Sequence, residues 1–317
     1  MKATREGYGE ALVELGKKDE RVVVLTADLK ESTKVDRFAE IFPERFVECG
    51  VAEQNMMGIA AGMAAAGKIP FVSSYAVFSP GRNWDQLRVS VCYSKLPVKI
   101  GGAHTGLSVG PDGATHQALE DIAITRVLPN LAVDVPCDYW EAKKATEEAI
   151  AINGPVYIRF FREKTPVMTQ PEAKYKIGKA ELVWESGREV AIISCGPILY
   201  ECLEAAKKLS EEGIGVVLLN NHTIKPMDKA AVIEAACECG AVVTVEEHQI
   251  FGGMGSAVCE ILATNYPVPV EMIGVKDTFG ESGKPDELLE KYGLTAKYIS
   301  EAVRKVLGRK KILEKKA

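Results

Sequence analysis

The sequence predicts an α/β protein of two doubly wound domains, a first with a mainly parallel sheet and a smaller second. Three observations carry that prediction. Short apolar runs of strand length alternate with helical stretches along the whole chain. Several of those runs, such as RVVVLT at 21–26, are apolar without a break, as a strand buried on both faces must be. With 317 residues, 47% of them apolar, the chain can fill two cores, and the polar stretch QPEAKYKIG at 170–178 separates two αβ sets. The expected organisation is therefore a domain at 1–169, a linker at 170–178 and a domain at 179–317.

The elements follow in order. Thr4 to Lys18 is an amphipathic helix with Tyr8, Ala11, Leu12 and Leu15 on its apolar stripe. The strand Arg21 to Thr26 ends in Ala27-Asp28-Leu29, and its turn carries Ser32 and Thr33. Ligands of open α/β sheets gather beyond such strand ends, although an Asp or Ser there also caps helices. A short strand, Arg45 to Cys49, precedes Gly50-Val51-Ala52-Glu53-Gln54-Asn55, which opens the small-residue helix MMGIAAGMAAAG. A helix so rich in small residues lets another backbone come close, at the centre of the fold or at a subunit interface. Glu53 there has two readings: a carboxylate favoured at a helix N-terminus, or a carboxyl group that shares a proton with a ligand.

The strand Ile69 to Ser74 then leads to Tyr75 and Phe78, placed either to wall a flat heterocycle or to pack in the core. A helix is expected from near Asn83. A strand at Leu96 to Ile100 enters GGAHTGLSVGPDGATHQALED at 101–121, which holds two of the four histidines among five glycines. Such a loop brings backbone close to a bound group, with His104, Asp112 and His116 to supply proton and hydrogen-bond chemistry. It equally serves as a connection, with a helix from His116 onward to about Arg126. A strand at Leu131 to Asp134, a helix at Tyr139 to Asn153 and a strand at Pro155 to Phe161 complete this half, with Arg162 at the last strand's carboxyl end.

In the second half, strands are expected at Val190 to Ser194, Val216 to Asn220, Ala241 to Glu246 and Val270 to Gly274. Helices are expected at Leu199 to Glu212, Asp228 to Cys239 and Gly255 to Thr264. GGMGS at 252–256 lacks the lysine and the spacing of a nucleotide loop and reads as a tight helix start. The basic end, Lys310 to Lys316, reads as a solvated tail.

Composition excludes several functions. A formal net charge of −5 gives no general attraction for nucleic acid or anionic lipid, so a bound phosphate needs a local site. Residues 1 to 20 carry no hydrophobic block and no run of 18 apolar residues occurs, so neither a signal peptide nor a membrane span is read and the cytoplasm is the expected location. The eight cysteines have no CxxC spacing and no accompanying histidines; they read as reduced core thiols, with no metal bound by this chain.

Taken together, these residues resemble the transketolase family of thiamine-diphosphate enzymes over the whole chain. The carriers are Gly50-Val51-Ala52-Glu53-Gln54-Asn55, the run Gly-Pro-Asp-Gly-Ala-Thr-His-Gln from Gly110 to Gln117, Leu128-Pro129-Asn130, and Arg159 with Arg162. Only the pyrimidine-binding and C-terminal domains of that family are covered. Its diphosphate-binding domain, with Gly-Asp-Gly followed by a metal-binding Asn, has no counterpart.

The resemblance implies roles for particular residues. Glu53 would hydrogen-bond the aminopyrimidine of thiamine diphosphate, with Tyr75 and Phe78 packed against that ring and Asp28 on the cofactor side. His116 would assist proton movement near the reacting carbonyl, and Asp112 would read the hydroxyl configuration at C2. Arg5, Ser32, His104 and Arg162 would grip the terminal phosphate, which gives a net-acidic chain its local anion site. The implied protein is the C-terminal subunit of a split transketolase, moving a two-carbon ketol unit between sugar phosphates. Its partner would carry the diphosphate-binding domain with Mg or Ca, in an α2β2 heterotetramer. Three other readings are a half of a deoxyxylulose-phosphate synthase, a β subunit of a 2-oxoacid dehydrogenase, and a non-catalytic binding relative. The first usually has Asp-Arg where this chain has His104-Thr105, and the second His-Ser-Gln in place of Thr115-His116-Gln117.

Overall fold

The computed structural model describes residues Met1 to Lys315. The first half runs β1 (Lys2–Ala3), α1 (Thr4–Lys18), β2 (Val22–Thr26), α2 (Asp36–Ile41), β3 (Phe46–Glu48), α3 (Glu53–Ala65) and β4 (Ile69–Tyr75). It continues with α4 (Trp84–Gln86), β5 (Lys99–Ala103), α5 (Asp121–Arg126), β6 (Ala132–Asp134), α6 (Tyr139–Ala149), β7 (Val156–Arg159) and β8 (Lys164–Thr165). Strands β2, β5, β6 and β7 are buried at every residue, so their sequences do not alternate apolar with polar, and the charges they carry, Lys99, Asp134 and Arg159, are buried as well. In α1, Tyr8, Ala11, Leu12 and Leu15 are buried as the stripe predicts, and the Glu6 carboxylate turns back to accept the Ala3 N–H at 2.8 Å.

The second half runs β9 (Glu181–Glu185), β10 (Val190–Ser194), α7 (Leu199–Glu211), β11 (Val216–Asn220), β12 (Thr223–Lys225) and α8 (Lys229–Cys239). Then come β13 (Val242–Gln249), α9 (Met254–Asn265), β14 (Val270–Val275), α10 (Pro285–Lys291) and α11 (Ala296–Glu314). Its five-stranded sheet has the order β14-β13-β10-β11-β9, parallel except for β9. The seven-stranded sheet of the first half has the order β12-β6-β7-β5-β4-β2-β3. All its neighbours are parallel except β12, which joins from the second half, antiparallel to β6. Asp134 anchors that strand: it accepts from the Thr223 hydroxyl at 2.9 Å, stands 3.1 Å from His222 Nδ1, and takes the Tyr175 hydroxyl.

The α/β class and most of the expected elements match the sequence reading; β1, α2, β8, β9, β12, α10 and α11 have no counterpart in it, and five expectations differ from what is found. The strand expected at Leu96 to Ile100 is found at Lys99–Ala103, so Gly101 and Gly102 are strand and not loop; a Cβ on Gly102 would be 2.3 Å from the Tyr157 hydroxyl, which is why glycine stands inside this strand. The helix expected from His116 begins at Asp121, since a tight helical turn at Leu107–Asp112 uses Gly110 and the chain turns again after Gly113. The helix expected near Asn83 widens after α4 into a π-helix, Leu87–Tyr93. Cys237 is exposed, unlike the other seven cysteines, which are buried or half-buried. Residues Lys310 to Glu314 belong to α11 instead of a loose tail; Lys316 lies outside the described residues.

Candidate active site

Because β2, β4, β5 and β7 are parallel neighbours, their carboxyl ends lie along one edge of the sheet, where ligands of such folds bind. Four aromatic groups meet there. Tyr75, the last residue of β4, stacks on His104, the residue after β5, at 3.8 Å between ring centroids. Phe78 lies 5.8 Å from Tyr75, and His116 meets both rings edge-on at 5.9 and 5.5 Å. The glycine-rich loop therefore folds back onto the strand end that carries the aromatics.

His104 is 2% exposed, its Nδ1 has no partner, and its backbone is held at φ 56°. Burial, together with the charges of Arg5, Arg162 and His116, pushes its pKa down to about 3. The ring is therefore neutral near pH 7, with one nitrogen still to be satisfied.

Arg5 Nη1 donates to the Ser32 carbonyl at 2.8 Å, and Arg162 Nη1 donates to the Val109 carbonyl at 2.9 Å. Burial and the neighbouring Arg162 hold Arg5 below its ordinary pKa. Both charges act on His104, and Arg162 acts on Arg5. Asp112 enters the same cluster, with its carboxylate 3.2 Å from Arg162 Nη1. Ser32 differs from the rest: it orients Arg5 through its main-chain carbonyl, so its hydroxyl is not what the arginine reads.

Glu53 begins α3 and is 4% exposed. It borders an open cavity of about 510 Å3 lined by Val51, Ala52, Glu53, Gln54, Asn55 and Arg82. Asp28 does not line it; this exposed residue sits at φ 61°, where its N–H donates to Glu48 Oε1 at 2.7 Å. Glu48 Oε1 also accepts from Gly50 N at 3.0 Å, which ties the turn after β2 to the entrance of α3.

Three residues here have no role that the sequence alone assigns. Arg82 pairs with Glu53 at 2.8 Å, and nothing in its sequence setting singles it out. Gln117, 3% exposed, donates from Nε2 to the Leu107 carbonyl at 3.1 Å and to the Glu281 carbonyl at 3.0 Å, joining the loop to the second half. Arg159, 1% exposed, grips Asp121 at 2.8 and 3.1 Å and the Glu247 carbonyl at 3.0 Å. Its signal is present in the chain: a charge in the apolar run VYIRFF needs a buried partner.

The fold and this strand-end site define a class, two-sheet α/β chains with a candidate ligand site along the carboxyl edge of a parallel sheet. The family model of the transketolase pyrimidine binding domain matches residues 1–168, and that of the transketolase C-terminal domain matches residues 178–299. The chain belongs to the transketolase family. It is 43% identical to the 6-deoxy-6-sulfo-D-fructose transketolase subunit SqwH of Clostridium sp., over 96% of this chain and 95% of that one. It is 38% identical to an apulose-4-phosphate transketolase subunit of Phocaeicola vulgatus, over 93% and 94% of the two chains. A solved split-gene transketolase, described as an inactive β4 tetramer, superposes with a TM-score of 0.91 at 48% identity, covering 97% of this chain and 99% of that one.

Proposed function

We propose that this chain is the C-terminal subunit of a two-subunit transketolase, transferring a two-carbon ketol unit from a ketose phosphate to an aldose phosphate. One observation carries the reading: the buried Glu53 carboxylate opens on a cavity, next to an aromatic wall that ends at His116 and the Arg5–Arg162 cation pair. A flat, hydrogen-bonding heterocycle fits such a place, and the aminopyrimidine of thiamine diphosphate is one. When bound, that cofactor would supply the electron sink for a ketol carbanion.

The chain's own residues would do the rest. Glu53 holds the pyrimidine through a shared proton, while Tyr75 and Phe78 give it a flat wall. Neutral His104 offers Nδ1 to a substrate oxygen, and His116 moves a proton at the reacting oxygen. Arg5 and Arg162 grip the anionic end of the sugar, and Asp112 leaves its ion pair with Arg162 to read the C2 hydroxyl. Ser32 serves the grip by fixing Arg5. Asp28 is the weakest member of the cofactor set, since its contacts are with Glu48 and not with the cavity. The two relatives are named for different sugars, a sulfosugar and a sugar phosphate, so the anion site suits a strongly acidic terminal group. Among the described residues, no cluster of three His, Cys, Asp or Glu side chains is arranged to hold a metal. The Mg or Ca that binds the diphosphate is assigned, in this reading, to a partner chain carrying the diphosphate-binding domain, within an α2β2 heterotetramer. No helix among the described residues is long and apolar enough to cross a membrane; the cytoplasmic setting is part of the proposal. The domain limits proposed are 1–169 and 179–317, with the linker between.

The test is reconstitution. The purified chain is mixed with a diphosphate-binding partner chain, Mg²⁺ and thiamine diphosphate, and ketol transfer from xylulose 5-phosphate to ribose 5-phosphate is followed. The pair should turn over, and the chain alone should not. Robust turnover without a partner would overturn the divided site; failure of the pair on every ketose phosphate would overturn the reaction.

A further inference from the structure

Glu53 is positioned by one side chain. Among the described residues, Arg82 Nη1 donates the only hydrogen bond that reaches its carboxylate, at 2.8 Å to Oε1, and Oε2 receives none. The same guanidinium sits over the aromatic wall, with its central carbon 4.0 Å from the Phe78 ring centroid. One rigid, planar group thus touches both members of the pyrimidine site that come from different elements, the head of α3 and the turn after β4.

The backbone that carries Arg82 is fixed from several sides. Its N–H donates to the Phe78 carbonyl at 2.8 Å, and its carbonyl accepts from Gln54 Nε2 at 3.2 Å. The next residue, Asn83, is buried and donates to the Glu53 carbonyl at 3.2 Å and to the Ser79 hydroxyl at 3.0 Å. At Gly81 a Cβ would lie 2.0 Å from the Val77 carbonyl, so the turn that delivers Arg82 requires glycine. The loop closes on α3 through these contacts and aims the guanidinium along one line.

We propose that Arg82 is the positioning residue of the pyrimidine site: it sets Glu53 and Phe78 in register with each other while leaving the second carboxylate oxygen free for the heterocycle. The proposal rests on the reading of Glu53 given above. Arg82 acts through its two neighbours and need not touch the sugar, whose anionic end is held by Arg5 and Arg162. Lysine cannot replace it fully, because a point charge pairs with a carboxylate but does not lie along a ring.

The experiment measures the thiamine diphosphate dissociation constant and the KM for xylulose 5-phosphate in the assembled pair of chains. It uses wild type, Arg82→Met, Arg82→Lys, Glu53→Gln and the Arg82→Met/Glu53→Gln double variant. Arg82→Met should weaken cofactor binding by about tenfold, the low end of what one hydrogen bond to a charged group contributes, and leave the sugar KM within about twofold. Arg82→Lys should recover part of the loss. In the Glu53→Gln background, the further loss on removing Arg82 should be much smaller than in wild type, because Arg82 acts partly through that carboxylate. Thermal midpoints of the isolated variants confirm that each chain is folded. An unchanged cofactor constant would make the pair a structural contact only. Fully additive losses would mean that Arg82 acts on its own, and a raised sugar KM would make it part of the anion grip; each of these overturns the proposal. If the wild-type pair binds no cofactor, the reading of the site itself fails, and the positioning role with it.

Discussion

Arg159 with Asp121 and Arg82 with Glu53 join the same two functional groups at the same 2.8 Å, yet their surroundings are opposite. Arg159 and Asp121 are each 1% exposed; Asp121 also accepts from the Tyr157 hydroxyl at 2.6 Å, and Arg159 reaches the Ala118 and Glu247 carbonyls. Both oxygens of that carboxylate are occupied, and the bonds run between β7, α5 and β13, across the two halves. Glu53 is buried nearly as deeply, at 4%, but its arginine is 48% exposed and one oxygen is left over. A fully satisfied ion pair locks a fold; an incompletely satisfied one at a cavity is a place for a ligand.

The predictions test that contrast, from the largest expected effect to the smallest. Glu53→Gln preserves shape but removes the shared proton, and thiazolium C2 exchange in the assembled pair should slow by roughly 10²–10⁴-fold. Its thermal midpoint should barely move; wild-type exchange would remove Glu53 from the chemistry. Arg159→Met leaves Asp121 buried and uncompensated, and should destabilise the isolated chain by about 3–5 kcal/mol in urea unfolding. A loss under about 1 kcal/mol would make the two pairs alike and erase the distinction between them.

Arg162→Ala should raise KM for phosphorylated sugars far more than for unphosphorylated ones, by the roughly 1.5–3 kcal/mol of a charge-assisted contact. Equal changes on both substrate types would mean that Arg162 only braces Val109. His104 should report on pH. Its folded pKa of about 3 lies below the ordinary 6.5, so the unfolded chain takes up the proton first. Its contribution to stability is full above pH 6.5 and is lost as pH falls towards 3. Replacing it by Phe, which preserves the stack on Tyr75, should therefore make stability fall less steeply across that window.

The smallest effect belongs to Gly58, on the exposed face of α3, where an added Cβ would meet nothing within 4 Å. Gly58→Ala should stabilise the isolated chain by about 0.5–1 kcal/mol. If the partner covers α3, the same methyl group should weaken assembly, which sedimentation of the mixed chains would detect.

Much of this was legible because parallel strands announce themselves by unbroken apolar runs and because the residues gathered at the sheet's carboxyl edge follow strand ends. Tyr75, His104 and Arg162 each come within three residues of such an end, so reading the strand located the residue. Arg82 was not legible in that way: it lies seven residues past β4, and its direction depends on how Gly81 and Asn83 fold back on α3. The displaced start of α5 has a related cause. The positive φ angles at Gly106, Gly110 and Gly113 set three changes of direction that no periodicity shows. Strand β12 is three residues long, and its sequence, TIK, carries too little pattern to show that it crosses to the other half's sheet.

That short strand has a consequence for how the chain can be taken apart. Cutting the peptide bond anywhere in 170–178 would break the covalent link but not the ladder between β12 and β6, nor the bonds of Asp134 to Thr223 and His222. A nicked molecule should migrate as one particle under native conditions and fall into two pieces only in denaturant. The first piece, expressed by itself, would present β6 as a bare sheet edge ready to pair with its own copies. Each half has its own sheet, yet as material the two are a single object, joined by β12 as well as by the chain at 170–178.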